Sequence, residues 1–314
     1  MRIYLLNPPF LPRFVRCGRW QGAVARSRTL YYPLWLAYAT GLLEEQYNNV
    51  VKLVDAPAWG WDKAEVMRDV ETFEPDLIVI DSNFSSLSND IYMARLLKEK
   101  VKKARTVLVG PPTSQFPDNI LGDKGIDIVA RFEFDFTLTD ITEAIKTDKD
   151  FDNIKGISYK RNGTVTHNAN REFTSSEDLD RIPFVSKVYK RHLNIKDYFL
   201  GQTLYPVIQI FTGRGCPNRC TFCSWPETLM GRKHRMRSVG NIVDEFEYIK
   251  EELPEVREIF IEDDTFTIDK RRIKGFCEEL ERRKLKVIWS CNARANLDYQ
   301  TMKMMKEAGC RLLD

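Results

Sequence analysis

Apolar residues follow two rhythms along this chain. From Arg2 to about Lys146, short β-branched runs alternate with longer stretches whose apolar positions recur at helical spacing. The runs Ile3–Leu6, Val50–Val54, Leu77–Ile80, Val107–Val109 and Ile126–Ala130 predict strands. Leu34–Gln46, Lys63–Phe73, Ile91–Lys103 and Phe136–Lys146 predict helices; in one of them Ile91, Ala94, Leu97 and Val101 share a face. Almost uniformly apolar strands that alternate with helices predict a parallel sheet covered on both faces. The fold class expected is α/β, a Rossmann-like doubly wound domain, with ligands beyond the carboxyl ends of its strands.

The rhythm breaks between about residues 148 and 202. Ile154–Tyr159 and Thr164–His167 flank Arg161-Asn162-Gly163, which predicts a β-hairpin turning at Asn-Gly. A polar stretch, Thr174 to Asp180, and Ile182-Pro183-Phe184 read as a linker. Alternation then resumes. Strands are expected at Val207–Phe211, Glu258–Ile261 and Lys286–Trp289. Helices are expected around Ile242, Phe246, Ile249 and Leu253, from Lys270 to about Arg283, and over Tyr299–Ala308, the last burying Met302 and Met305. Cys310-Arg311-Leu312-Leu313-Asp314 starts a fourth strand, where the sequence stops. The division expected is 1–147, a hairpin and linker over 148–202, and a truncated parallel (β/α) barrel over 203–314. In such barrels the carboxyl ends of the strands carry the chemistry.

Composition narrows the partners. A formal net charge of +3 over 314 residues implies no nucleic acid. No stretch approaches a transmembrane helix, and the amino-terminal apolar run is too short for a signal peptide. Of the seven cysteines, Cys17, Cys277, Cys291 and Cys310 are scattered singly and read as reduced thiols of a cytoplasmic protein.

The remaining three fall in Thr212-Gly213-Arg214-Gly215-Cys216-Pro217-Asn218-Arg219-Cys220-Thr221-Phe222-Cys223, a C-x3-C-x2-C spacing directly after an apolar strand. Two glycines and a proline bend this segment so that Cys216, Cys220 and Cys223 can approach one point. Structural zinc takes four ligands, and His234 is well downstream. Three thiolates without a fourth favour a [4Fe-4S] cluster with one open iron, ahead of zinc or three unrelated thiols. Cys291 reads as packing, since a fourth thiolate would block that iron. Three consecutive acids, Glu262, Asp263 and Asp264, close the second barrel strand; one could cap a helix, and three call for cations or donors. The loops Asp81–Ser86 and Gly110–Ser114 suit either ordinary caps and turns or ligand contacts. The long loop from Phe10 to Pro33 carries Arg13, Arg16, Arg19, Arg26 and Arg28 with Trp20; a solvated loop is the plainer reading and an anion-binding wall the sharper one. Arg232, Lys233, His234, Arg235 and Arg237 read as solvated or anion-facing, and His167 as a surface residue.

The cysteine motif, with aromatic Phe222 before its last cysteine, resembles the radical S-adenosylmethionine (SAM) superfamily. The run through Cys223-Ser224-Trp225-Pro226-Glu227 and Lys233-His234-Arg235-Met236-Arg237-Ser238 is similar to its cobalamin-binding subgroup, hopanoid-associated and tetrapyrrole-cyclase-like members especially. That resemblance implies a cobalamin-binding domain ahead of the barrel, with Ser82, Asn83, Ser85, Gly110, Pro111 and Thr113 toward cobalamin. It implies cluster ligation by Cys216, Cys220 and Cys223. It puts Glu262, Asp263 and Asp264 near the methionyl amine or ribose of SAM, Asn292 and Arg294 near its ribose or carboxylate, and Phe222 among the cofactor contacts. The chain departs from the family where a glycine is expected before the acid after the fifth strand, in Arg131-Phe132-Glu133-Phe134-Asp135. No histidine precedes His167, so the first domain has none to offer cobalt. The activity implied is one-electron cleavage of SAM to a 5′-deoxyadenosyl radical, for methyl transfer to an unactivated carbon. Rearrangement or oxidative cyclisation of a hydrophobic or tetrapyrrole-like substrate is the alternative, and a non-catalytic cofactor-binding fragment a third reading. A small-molecule substrate and a flavodoxin- or ferredoxin-like reductant are the implied partners. No catalytic residue is assigned. Because the sequence stops mid-barrel, this chain is expected not to turn over alone.

Overall fold

The computed structural model describes residues 1–16, 24–47 and 49–314, the side chains of 46 and 47 excepted. Cys17, Arg19 and Trp20 lie outside the described residues. The first sheet runs through β1 (Arg2–Asn7), β2 (Val50–Asp55), β3 (Leu77–Asp81), β4 (Arg105–Val109), β5 (Ile128–Ala130), β6 (Ile157–Arg161) and β7 (Thr164–His167). Its spatial order is β2-β1-β3-β4-β5-β6-β7. The first five strands are parallel, and the β6–β7 hairpin adds to β5 antiparallel. The hairpin foreseen from Asn162-Gly163 is therefore part of this sheet.

Helices cover the sheet in chain order: α1 (Leu34–Tyr47), α2 (Ala56–Trp59), α3 (Lys63–Phe73), α4 (Leu87–Lys100), α5 (Pro117–Leu121) and α6 (Asp135–Lys146). Alternate strand residues go to opposite faces, as the pleat requires. Tyr4, Leu6, Ile78, Ile80 and Leu108 pack with α3, α4 and α5, whereas Ile3, Leu5, Leu77, Val79 and Val107 pack with α1 and α6. Asp62 and Glu65 close a reciprocal cap at the start of α3, at 2.9 and 2.6 Å.

The segment read as a polar linker forms two short helices, α7 (Ser176–Arg181) and α8 (Val185–His192), the latter packed on α1. The second sheet contains β8 (Val207–Ile210), β11 (Glu258–Ile261), β12 (Trp289–Cys291) and β13 (Cys310–Leu313), all parallel, in the order β13-β12-β11-β8. Between β8 and β11 a small antiparallel pair, β9 (Gly213–Arg214) with β10 (Arg235–Met236), interrupts the pattern. Its helices are α9 (Val239–Glu252), α10 (Lys270–Arg282) and α11 (Tyr299–Glu307).

Two expectations are corrected here. The third barrel strand begins at Trp289, three residues beyond Lys286, because Ser290 and Cys291 continue it into the core. The Ser290 hydroxyl bonds the buried Glu258 carboxylate, which removes the objection to a polar residue there. Of the two α11 methionines expected in the core, Met305 is buried and Met302 is 39% exposed.

α1 is apolar on almost every side because everything around it is protein: the sheet, α6, α8 and the second sheet. Leu36, Leu42 and Leu43 are fully buried, each contributing roughly 1.5–3 kcal/mol. β8 is an edge strand, and its open side is satisfied by hydroxyls. Tyr32 donates to the Val207 carbonyl at 2.9 Å, Tyr189 to that of Gln209 at 3.1 Å, and Tyr38 to that of Phe211 at 3.2 Å. The Phe211 amide in turn donates to the Tyr38 hydroxyl at 2.8 Å. No helix among the described residues is long and apolar enough to cross a membrane.

Candidate functional site

β8 delivers the chain into the cysteine loop through a turn that Asp263 holds. The Asp263 carboxylate accepts from the Thr212 amide and hydroxyl, each at 2.6 Å, and from the Gly213 amide at 3.0 Å. Arg272 lies 3.7 Å from it and donates to the Thr212 carbonyl at 2.5 Å. For Asp263, the middle acid of the triplet, the donors are thus supplied by the protein itself. Gly215 then turns at φ +86°, a left-handed conformation open to glycine.

Beyond it the Cys216 amide donates to the Gly231 carbonyl at 3.2 Å, which folds the loop back on itself. Cys216 is buried, Cys223 half-buried and Cys220 exposed. Among the described residues no three His, Cys, Asp or Glu side chains are gathered as an ion-binding set. The three thiols therefore share a loop without meeting at a point. Their chemistry fits a cluster, and they would draw together on one. Phe222 is 76% exposed. A single π-helical turn, Pro226–Met230, follows.

The residues expected near SAM separate into two groups. Glu262 accepts from the Gln209 side chain at 2.7 Å, and Asn292 donates to the Asp263 carbonyl at 2.9 Å, so with Asp263 they knit β8, β11 and β12 together. Asp264 is half-buried at the same end of the sheet. Arg294 is exposed and reaches across to the Asn218 side-chain oxygen. His234 is half-buried beside Gly213; burial lowers its pKa against the pull of Asp263, so its ring is neutral at pH 7.

At the first sheet, strand order reverses between β1 and β3, the place where doubly wound sheets open a crevice. Arg16 fills it. Its guanidinium bonds Asn7 Oδ1 at 2.9 Å, the Pro8 carbonyl at 2.7 Å and Asp90 at 2.6 Å. Arg16 is 3% exposed, which corrects the expectation of a wholly solvated basic loop; Arg26 and Arg28 do remain exposed. Ser82 donates to Asp90 at 3.0 Å, and Asn83 to the Arg16 carbonyl at 2.7 Å. Thr113 donates to the carbonyls of Gly110 and Ala130 at 2.7 and 2.8 Å. A Cβ on Gly110 would collide with the Ser82 carbonyl oxygen, so glycine here lets two loops touch. Ser82, Gly110 and Thr113 thus have work inside the protein, Pro111 is buried beside them, and Asn83 and Ser85 lie nearer solvent.

Between the two sheets lies a seam that sequence reasoning missed. Glu133 pairs with Arg235 at 2.9 Å and Asp135 with Arg214 at 2.7 Å, all four nearly inaccessible. Arg237 pairs with Glu245 at 2.6 Å, also buried. Arg235 and Arg237 are therefore structural rather than solvated. The departure at Arg131-Phe132-Glu133 has a local counterpart: Phe132 adopts φ +60°, the conformation a glycine would take freely. Ser114, after β4, donates to the Thr228 carbonyl at 2.9 Å, so the carboxyl ends of both sheets border the same seam.

Comparison with known proteins decides what these halves are. Residues 20–142 match the B12 binding domain, and residues 210–314 match the Radical SAM superfamily. The chain pairs a B12-binding domain with a radical SAM domain. An uncharacterized methyltransferase of Pyrococcus horikoshii is 28% identical over 280 residues, 88% of this chain and 59% of the relative. The anaerobic magnesium-protoporphyrin IX monomethyl ester cyclase of Rubrivivax gelatinosus is 27% identical over 88% of this chain and 50% of its own length. Hopanoid C-3 methylase of Methylococcus capsulatus is 26% identical over 78% and 46%. The chain spans about half the length of the curated relatives it matches. The cobalamin-dependent SAM radical enzyme OxsB shares the fold at TM-score 0.74 and 20% identity, over 98% of this chain and 42% of that one. The radical SAM methyltransferase TsrM of Kitasatospora setae does so at 0.72 and 16%, over 99% and 58%. The doubly wound B12-binding domain and the partial radical SAM barrel agree with the fold class read from the sequence.

Proposed function

We propose that this chain is the cofactor-binding part of a cobalamin-dependent radical SAM methyltransferase. The observation that carries this reading is the shared seam: the cysteine loop after β8 and the loops after β4 and β5 border one another through Ser114, Asp135 and Arg214. Methyl transfer between two cofactors requires such a common border.

Cys216, Cys220 and Cys223 would hold a [4Fe-4S] cluster with one iron left to SAM. At that end of the barrel Arg294 is exposed and bonded to Asn218, while both carboxylate oxygens of Asp264 are buried. Asn83 and Ser85, with backbone of the Gly110 loop, would border cobalamin. When bound, these cofactors supply one-electron cleavage of SAM and methyl carriage. The protein's part is to hold the cysteine loop, keep His234 neutral, and close the seam to water with buried ion pairs. A small-molecule substrate, an external one-electron reductant and a reducing cytoplasmic setting complete the reading. Cyclisation is the second reading, favoured by similarity to the protoporphyrin ester cyclases.

Anaerobic reconstitution with iron and sulfide tests the reading. It should give about four irons per chain. Cys220→Ala should abolish that content, and Cys291→Ala should leave it intact. Stoichiometric zinc in place of iron would overturn the assignment. Cob(II)alamin bound to the chain should show no axial nitrogen from a first-domain histidine, since none precedes His167, so labelling histidine with nitrogen-15 should leave its electron paramagnetic resonance unchanged.

A further inference from the structure

Within the cysteine loop, Asn218 is held from three sides. Arg232 donates to its carbonyl oxygen at 2.7 Å. Arg294 donates to its side-chain oxygen. Its side-chain nitrogen approaches Cys216 Sγ at 3.4 Å, within the range of an N–H···S hydrogen bond. The orientation of this amide follows from chemistry. A guanidinium only donates, so the amide oxygen must face Arg294 and the NH2 group must face the sulfur. Cys216 is the most buried of the three loop thiols, so its sulfur has little competing water.

We propose that Asn218 is a positioning residue for the cluster: pinned by Arg294, its amide N–H donates to the Cys216 sulfur and raises the cluster's reduction potential. The inference rests on cluster ligation by Cys216, Cys220 and Cys223. A sulfur bound to iron becomes a stronger acceptor as the cluster gains an electron, so the N–H stabilises the reduced form more than the oxidised one. Hydrogen bonds to cluster sulfurs are among the terms that set such potentials. Arg294 acts through Asn218, orienting the amide from the surface of the loop.

The test is a redox titration of the reconstituted full chain, followed by electron paramagnetic resonance of the reduced cluster without SAM. Asn218→Leu keeps the branched shape and removes the donor. At the wild-type midpoint its reduced-to-oxidised ratio should fall about tenfold, the effect expected of one charge-assisted hydrogen bond. For a one-electron couple that is a drop of about 59 mV. Arg294→Met leaves the amide in place but unpinned and should shift the midpoint in the same direction by less. Pulsed resonance in deuterated buffer should detect an exchangeable deuteron near the cluster that Asn218→Leu loses. Unchanged midpoint and deuteron coupling in Asn218→Leu, at full iron content, would overturn the inference while leaving cluster ligation intact. A wild-type chain that binds no iron through the three cysteines would overturn both. An Asn218→Leu chain that fails to hold iron is covered by Arg294→Met, whose midpoint must then fall for the inference to stand.

Discussion

Asp81 keeps its proton to about pH 7, pushed up by burial and by the neighbouring charges of Asp90 and Asp55 against the pull of Arg16. An unfolded aspartate titrates near 3.9. Between about pH 4 and pH 7 the folded chain therefore binds the extra proton, and stability falls as pH rises through that window. Asp81→Asn should flatten this slope and raise the melting temperature at pH 8 relative to wild type; an unchanged slope in thermal melts from pH 4 to 8 would contradict the assignment. A smaller slope ending near pH 6 should survive in the variant, because burial also lifts Asp55 to about 6. Thiols behave in the same way. Burial pushes Cys277 up to about 12 and raises Cys291 well above the usual range. Since thiolate is the reactive form, iodoacetamide at pH 8 should label exposed Cys220 in the apo chain and spare Cys277 and Cys291. Peptide mapping that found Cys291 labelled as fast as Cys220 would refute this.

Individual elements show what was legible in advance. Most strands of both sheets could be read from their apolar runs, the β6–β7 hairpin from Asn162-Gly163, and the cysteine loop because its three cysteines lie within eight residues. The ion pairs of the seam could not, since Arg235 and Glu133 are 102 positions apart and no local pattern links them. Arg16 was misread for the same reason, its partner Asp90 being 74 residues away. α7 and α8 were missed because six or eight residues rich in charge look like loop until α1 offers one of them a face. Asp135→Ala should cost about 3–5 kcal/mol in chemical denaturation, because Arg214 is left charged and buried. Replacing both partners with apolar residues should cost less, and a double variant as unstable as the sum of the singles would count against the pair. Tyr38→Phe removes the hydroxyl that meets both Phe211 backbone groups and should cost about 1–3 kcal/mol.

Across the whole molecule one apolar core runs from Ile3 in β1, through α1 and α8, to Met305 and Cys310 in the second sheet. Two domain families are thus fused into one packing unit. Calorimetry of the chain should give a single cooperative transition, and two resolved transitions would mean that the domains melt independently. The same continuity implies that residues 1–147 alone would expose α1 and leave β5 without its neighbour β6, so that fragment should aggregate or unfold in gel filtration. The three tyrosines along β8 carry a different consequence, for recombination. Tyr32 and Tyr38 come from the amino-terminal half and Tyr189 from the connector, yet together they complete the hydrogen bonding of the strand that leads to the cysteines. A chimera that grafted this barrel onto a foreign cobalamin-binding partner would strip these hydroxyls from the Val207 and Gln209 carbonyls, while Phe211 kept its bond from Arg237, so the heritable cassette here is larger than either domain.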